Sequence, residues 1–140
     1  MKTLQLVTLF ALSMSTLAMA ATPVVEKEGF VRDPEGRSLY TFSLDTPGQS
    51  NCNDACNKSW QPLMAKQDAA ANGQLTLVTR NGGGTQWAYQ GHALYYFIGD
   101  RNVGDMNGDG VGGKWHVART ANSTATPASP APAAAATYQY

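Results

Sequence analysis

No stripe of lysine and arginine runs along this 140-residue sequence, in which ten Lys and Arg balance ten Asp and Glu. A sequence-independent grip on nucleic acid needs clustered cations against phosphates, so that class of partner is excluded, as is a strongly acidic one. Neither G-x-S-x-G nor H-E-x-x-H occurs, so these hydrolase signatures are lacking and the chain is read as non-enzymatic. Cysteine and histidine are scarce, at two residues each. No apolar segment after the first twenty residues is long enough to anchor the chain as a transmembrane helix. What remains, 43% hydrophobic and 14% charged, is the composition of one folded soluble domain.

The N-terminus has a three-part order. Met1 and Lys2 precede a largely apolar stretch from Leu4 to Ala20, which closes on Ala18-Met19-Ala20 before Ala21. A charged start, a short apolar middle and an A-x-A site mark a secretory signal over residues 1–20, and predict a periplasmic or secreted chain cleaved near Ala20. Loss of Lys2 leaves the mature chain with one more acid than base. No Cys stands at the cleavage point, so no lipid anchor is expected there. In the oxidising compartment beyond, Cys52 and Cys56 are close enough in sequence to form a disulfide that staples a local loop. The alternative is a redox or metal-binding pair, although C-x-x-x-C is not the C-x-x-C of thiol oxidoreductases. From Ala121 to Thr137 the chain holds eight Ala, three Pro, five Ser or Thr and one Asn, with no charge. It cannot bury enough surface to offset ordering, and residues 120–140 are expected to be a disordered tail.

Between these ends, residues 21–119 carry an internal repeat. A shift of 55 positions aligns Gly29 with Gly84, Gly36 with Gly91, Leu39 with Leu94, Tyr40 with Tyr95, Phe42 with Phe97, Asp45 with Asp100, Asp54 with Asp109 and Trp60 with Trp115. Two copies are too few for a solenoid and suggest a pseudo-symmetric domain in which neither half buries its apolar face alone. Each copy reads as a hairpin followed by a long loop. Phe30 to Arg32 turns through Asp33-Pro34-Glu35-Gly36 and returns over Leu39 to Leu44, with Tyr40, Phe42 and Leu44 on one face. In the second copy, Thr85 to Tyr89 turns at Gln90-Gly91, and Leu94 to Ile98, apolar on both faces, is expected to be a central strand. Gln74 to Arg80 and Lys114 to Arg119 are further strands. One short helix is expected over Asn53 to Trp60, with Ser50 and Asn51 as caps. The fold class is therefore mainly β, a small antiparallel domain of two pseudo-repeats with a helix near the Cys pair.

Tyr40-Thr41-Phe42-Ser43-Leu44-Asp45 and Tyr95-Tyr96-Phe97-Ile98-Gly99-Asp100 share the pattern Y-x-[FWY]-x-x-D. In this pattern, in the Cys52 to Leu63 segment with Trp60 and Pro62, and in the Gly-rich run from Gly108 to His116, the chain resembles a bacterial secreted repeat of unknown function, a lipoprotein-type repeat. Two differences stand out: Gln61 occupies a position where the family commonly has Pro, and no lipid-accepting Cys follows the signal. The resemblance implies an envelope or secreted repeat domain and brings no catalytic activity with it.

The chemistry open to these residues falls into three groups. Tyr40, Phe42, Asp45, Tyr95, Phe97 and Asp100 either pack the core and start loops, or meet at a shared aromatic cleft that takes a ligand. Asp105, Asn107 and Asp109 reproduce the opening D-x-N-x-D-G of a calcium loop, but His116 stands at the twelfth position in place of Glu; a Gly-rich turn held by its own side chains is the rival. His92 and His116, with Met64 and Met106, are the residue types of a periplasmic copper site, without spacing that supports one. The composite expectation is a non-enzymatic periplasmic or secreted envelope protein without a cofactor, acting as a binding or structural element toward an envelope protein or a small ligand. The alternative is a calcium- or copper-binding or redox accessory protein.

Overall fold

A computed structural model of the protein describes residues 21–121. The expected signal over residues 1–20 and the expected disordered tail beyond 121 lie outside the described residues. Among the described residues, ten short strands and the single helical turn of α1 follow in the order β1 (Val25–Lys27), β2 (Phe30–Arg32), β3 (Tyr40–Phe42), α1 (Cys56–Ser59), β4 (Trp60–Pro62), β5 (Met64–Ala65), β6 (Leu75–Thr79), β7 (Thr85–Tyr89), β8 (His92–Ala93), β9 (Tyr95–Phe97) and β10 (Trp115–Val117). A 3-10 turn over Val111–Gly113 precedes β10. The strands form a β1-β2 hairpin, a four-stranded sheet β10-β3-β9-β4 and a second sheet β5-β7-β6 to which β8 adds through β7. Every named pairing is antiparallel.

The central sheet shows how the two copies combine. Strand β3 of the first copy lies beside β9 of the second, with Tyr40 opposite Tyr95. Outside them the copies exchange their last strands. Trp60 of β4 faces Phe97 of β9, and Trp115 of β10 faces Phe42 of β3. Backbone bonds repeat the exchange on both sides: Ile98 N–H donates to Ser59 O at 2.9 Å and Ser43 N–H to Lys114 O at 2.8 Å. Leu63 N–H likewise donates to Leu94 O at 2.9 Å, and Ala118 N–H to Leu39 O at 2.7 Å. The sequence shift is therefore a pseudo-twofold axis passing between Tyr40 and Tyr95, and each half is completed by a strand of the other. The central position expected for the Leu94 to Ile98 segment is what β9 occupies.

Aromatic rings fill the interior along this axis. Trp60 and Trp115 stack face to face with centroids 3.8 Å apart and planes 2° from parallel. Phe42 stacks on Trp115 at 4.2 Å and Phe97 on Trp60 at 4.3 Å, so four rings form one pile, two from each copy. Tyr40 meets Trp60 edge-on at 5.4 Å, and Tyr95 meets Trp115 edge-on at 5.1 Å. Contacts of this kind add about 0.5–1.5 kcal/mol each beyond the area they bury. Gly108 must approach this pile closely, since a Cβ there would stand 2.8 Å from Trp60 and 2.9 Å from Tyr40. The hairpin joining β7 and β8 turns at Gln90 and Gly91, both with positive φ (51° and 83°), the backbone that a two-residue hairpin turn requires.

Three local expectations differ from the structure. The strand expected to reach Leu44 ends at Phe42, because Asp45 N–H folds back to Phe42 O at 3.0 Å; Leu44 is exposed and does not share the buried face of Tyr40. The helix expected from Asn53 begins only at Cys56, after Asp54 has taken a positive φ of 48°. Ser50 and Asn51 do not cap it. Its N-cap is Ala55, which makes no side-chain capping bond, while Ser50 binds Tyr95 and Asn51 binds Leu44 O.

Candidate functional site

The six motif residues come together across the pseudo-axis, and they do so reciprocally. Tyr40 of the first copy donates its hydroxyl hydrogen to Asp100 Oδ2 of the second at 2.6 Å. Tyr95 of the second donates to Asp45 Oδ2 of the first at 2.8 Å. The other oxygen of each carboxylate accepts from the backbone of a downstream asparagine: Asn51 N–H to Asp45 Oδ1 at 2.7 Å, and Asn107 N–H to Asp100 Oδ1 at 2.9 Å. Those asparagines in turn donate their amides to Leu44 O and Gly99 O, closing matching loops. Phe42 and Phe97 belong to the ring pile, and both tyrosines are fully buried.

Electrostatics follow from that burial. Both phenols are held well above the ordinary tyrosine value of 10.0, first by loss of water; the carboxylate that each faces pushes the same way. Asp45 and Asp100 are also raised above 3.8, again chiefly by burial, against the lowering effect of the N–H and O–H groups that bind them. A phenol so held is a neutral donor at physiological pH. What the arrangement does chemically is to fasten one copy to the other with hydrogen bonds to charged-type acceptors, each worth about 1.5–3 kcal/mol.

Beyond these shared bonds the two ends differ. At one, Gly108 N–H donates to Tyr40 Oη at 3.2 Å. At the other, Ser50 Oγ lies 2.6 Å from Tyr95 Oη and accepts from Arg80 Nη1 at 2.9 Å. Because Tyr95 gives its one proton to Asp45, Ser50 gives its own to Tyr95, and Arg80, Ser50, Tyr95 and Asp45 form a head-to-tail chain. Arg80 is 6% exposed. Its remaining bonds go to Gln86 Oε1 at 2.5 Å, Cys52 O at 2.7 Å, Asn57 Oδ1 at 3.0 Å and Asn53 Oδ1 at 3.2 Å. Cys52 and Cys56 form the disulfide, with Cα atoms 5.3 Å apart. A cavity of about 530 Å³ opens above this group, lined by Asn53, Asp54, Asn57, Pro62, Met64, Arg80, Asn81, Gly82 and Gly83.

The model of a family described as a secreted repeat of unknown function matches residues 24–64 and 76–119. The chain belongs to this family. Its two repeats are the copies that exchange strands in the central sheet, and the match ends on either side of the 65–75 connection. No curated protein and no solved structure matches the chain. Among the described residues no helix is long and apolar enough to cross a membrane.

The remaining sequence candidates are dispersed. Asp105 Oδ2 accepts from the backbone of Arg101 and Asn102 at 3.0 and 2.9 Å, which holds its carboxyl below the ordinary value. Asn107 serves Asp100 and Gly99, and Asp109 accepts from Val117 N–H at 2.9 Å and faces Arg119 at 3.7 Å. The D-x-N-x-D-G side chains are thus engaged with protein groups, Asn107 acting on Asp105 as well as on Asp100. His92 lies on β8 and His116 on β10, both exposed, and among the described residues no three His, Cys, Asp or Glu side chains gather as a metal site. Sequence reasoning gave Arg80 and Gln86 no site role, and read Ser50 and Asn51 as helix caps and Asn107 as a calcium-loop residue where the structure joins all three to the Tyr–Asp bonds. Asn51 and Asn107 are related by 56 positions, one more than the shift that aligns the motifs, and so escaped a fixed-shift comparison.

Proposed function

We propose that the protein is a non-enzymatic component of the bacterial envelope, periplasmic or released after cleavage near Ala20, in which the duplicated sheet is a rigid support for a binding surface. The reciprocal Tyr40–Asp100 and Tyr95–Asp45 bonds carry this reading, because they commit the family motif to joining the repeats. The signal at residues 1–20, the disulfide and the family's description as secreted support the location. The residues from 120 onward are read as a solvated extension of the 21–119 domain.

The test is to recover the chain from a periplasmic fraction, where intact mass should show Ala21 as the first residue and no free thiol. The purified protein should turn over no ester, peptide or glycan substrate, while Asp45→Ala and Asp100→Ala lower its melting temperature. Turnover abolished by either substitution in a variant that still folds would replace this reading with an enzymatic one.

A further inference from the structure

The second copy departs from the first where the turn between its paired hairpin strands lengthens. The β1-β2 turn is Glu28-Gly29, whereas β6 and β7 are joined through Arg80-Asn81-Gly82-Gly83-Gly84. That longer turn carries Arg80 under the Cys52–Cys56 loop and creates one wall of the cavity. Pseudo-symmetry explains the ring pile and the Tyr–Asp bonds, but it does not explain this group.

Arg80 is a buried cation surrounded by neutral acceptors: a hydroxyl, a backbone carbonyl and three side-chain amides. Among the described residues it makes no ion pair; Asp45 is linked to it through Tyr95 and Ser50 and also feels its charge across space, without touching it. Removing a guanidinium from water with no carboxylate in contact leaves its charge only partly compensated. Asn53 and Asn57 turn their oxygens to Arg80, and among the described residues neither Nδ2 donates to a protein acceptor. Both asparagines line the cavity with the Asn81-Gly82-Gly83 backbone, and Pro62 and Met64 supply an apolar side. Asp54, on the same wall, opposes a second negative charge.

We propose that this cavity is a binding site for a small monoanionic ligand bearing a carboxylate, held by the Asn53 and Asn57 amides over the positive field of Arg80. The proposal rests on the chain being a binding component, and specifies a site apart from the family motif. Arg80 positions the two amides and supplies charge; its Nη1 and Nη2 groups stay with the protein.

The test is a nuclear magnetic resonance titration of the secreted full chain with sodium acetate, with sodium chloride and sodium phosphate at matched ionic strength as separate arms. Acetate should shift the side-chain NH2 signals of Asn53 and Asn57 and the amides of Gly82 and Gly83 saturably, with a Kd on the order of 1 mM for so small a probe. Chloride should not reproduce the shifts, and phosphate should bind more weakly. Asn57→Asp places a carboxylate against Arg80, so it should keep the fold, seen in unchanged Trp60 and Trp115 indole signals, and weaken acetate about tenfold or more; Asn53→Asp serves the same purpose if the first variant does not fold. Absent or chloride-like shifts, tighter phosphate binding, or undiminished acetate binding in the folded aspartate variant would overturn the site. None of these results bears on the Tyr–Asp bonds, so the site can fail while the envelope reading stands.

Discussion

The Tyr40 and Tyr95 ends of the molecule begin from the same plan and finish differently. In each, a buried phenol crosses the pseudo-axis to a carboxylate whose other oxygen is held by an asparagine N–H. At the Tyr40 end the phenol oxygen then meets a backbone donor, Gly108, within a glycine-rich loop. At the Tyr95 end it meets Ser50 and, through it, a buried arginine that gathers the disulfide loop and three amide side chains. Where the copies agree, the residues serve the fold of both halves at once. Where they disagree, one end has gained a buried charge and a cavity, neither of which the exchange of strands requires.

The comparison is broken most severely at the feature the two ends share. Trp60 and Trp115 stack on one another, and each also stacks on the phenylalanine of the opposite copy. Replacing either with Ala leaves a hole in the middle of the pile and is expected to cost about 3–5 kcal/mol. The two substitutions should be nearly equal, and the double variant should lose less than their sum because each removes the other's partner. Urea melts of the two single variants and the double variant check this; additive losses would mean that the rings act in separate cores.

The next effect separates the ends. Tyr40→Phe removes one bond to Asp100 and leaves Gly108 N–H without its acceptor, an expected loss of about 2 kcal/mol. Tyr95→Phe removes the bond to Asp45 and also breaks the chain from Ser50 to Arg80, so its loss should be the larger of the two. Double-mutant cycles with Asp100→Asn and Asp45→Asn, read by thermal melts, isolate the two couplings. Equal losses for the two phenylalanine variants would show that Arg80 is indifferent to the phenol, and the contrast between the ends would then be one of shape alone.

These residues also show how much the sequence discloses. β-prone and apolar runs between turn residues announced β6, β7 and β9, and one shift of 55 positions placed Tyr40 with Tyr95 and Trp60 with Trp115. Periodicity describes a strand but not its neighbour, so nothing in it indicated that β4 would join β9 and β10 would join β3. The Asn53 to Trp60 helix looked sound by local preference. Tertiary bonds overrode that preference, because Arg80 takes hold of Cys52 O and Asn53 Oδ1 just before the helix can start. Arg80 itself, at the head of Asn81-Gly82-Gly83-Gly84, has the local setting of an exposed turn residue; only its distant partners Ser50, Cys52 and Asn57 make it a buried hub.

The smallest expected effect concerns protons and should be common to both ends. Burial raises Asp45 and Asp100 above 3.8, so the folded protein holds these two protons more tightly than the unfolded chain does. Their contribution to stability is therefore fully present below 3.8 and is lost as pH rises through their higher folded values. Asp105, lowered by the Asn102 and Arg101 N–H groups, acts in the opposite sense: what it contributes is present above 3.8 and fades as pH falls through its lower folded value. Just above 3.8, acidification should consequently strengthen the fold through Asp45 and Asp100 before Asp105 begins to weaken it. Urea melts at closely spaced pH values should show this slope in the parent chain and a reduced slope in both Asp45→Asn and Asp100→Asn, whatever their overall loss of stability. A slope unchanged in both variants would mean that neither carboxylate titrates differently on folding. A slope reduced in one alone would carry the asymmetry of the Arg80 end into the bonds that the two ends otherwise share.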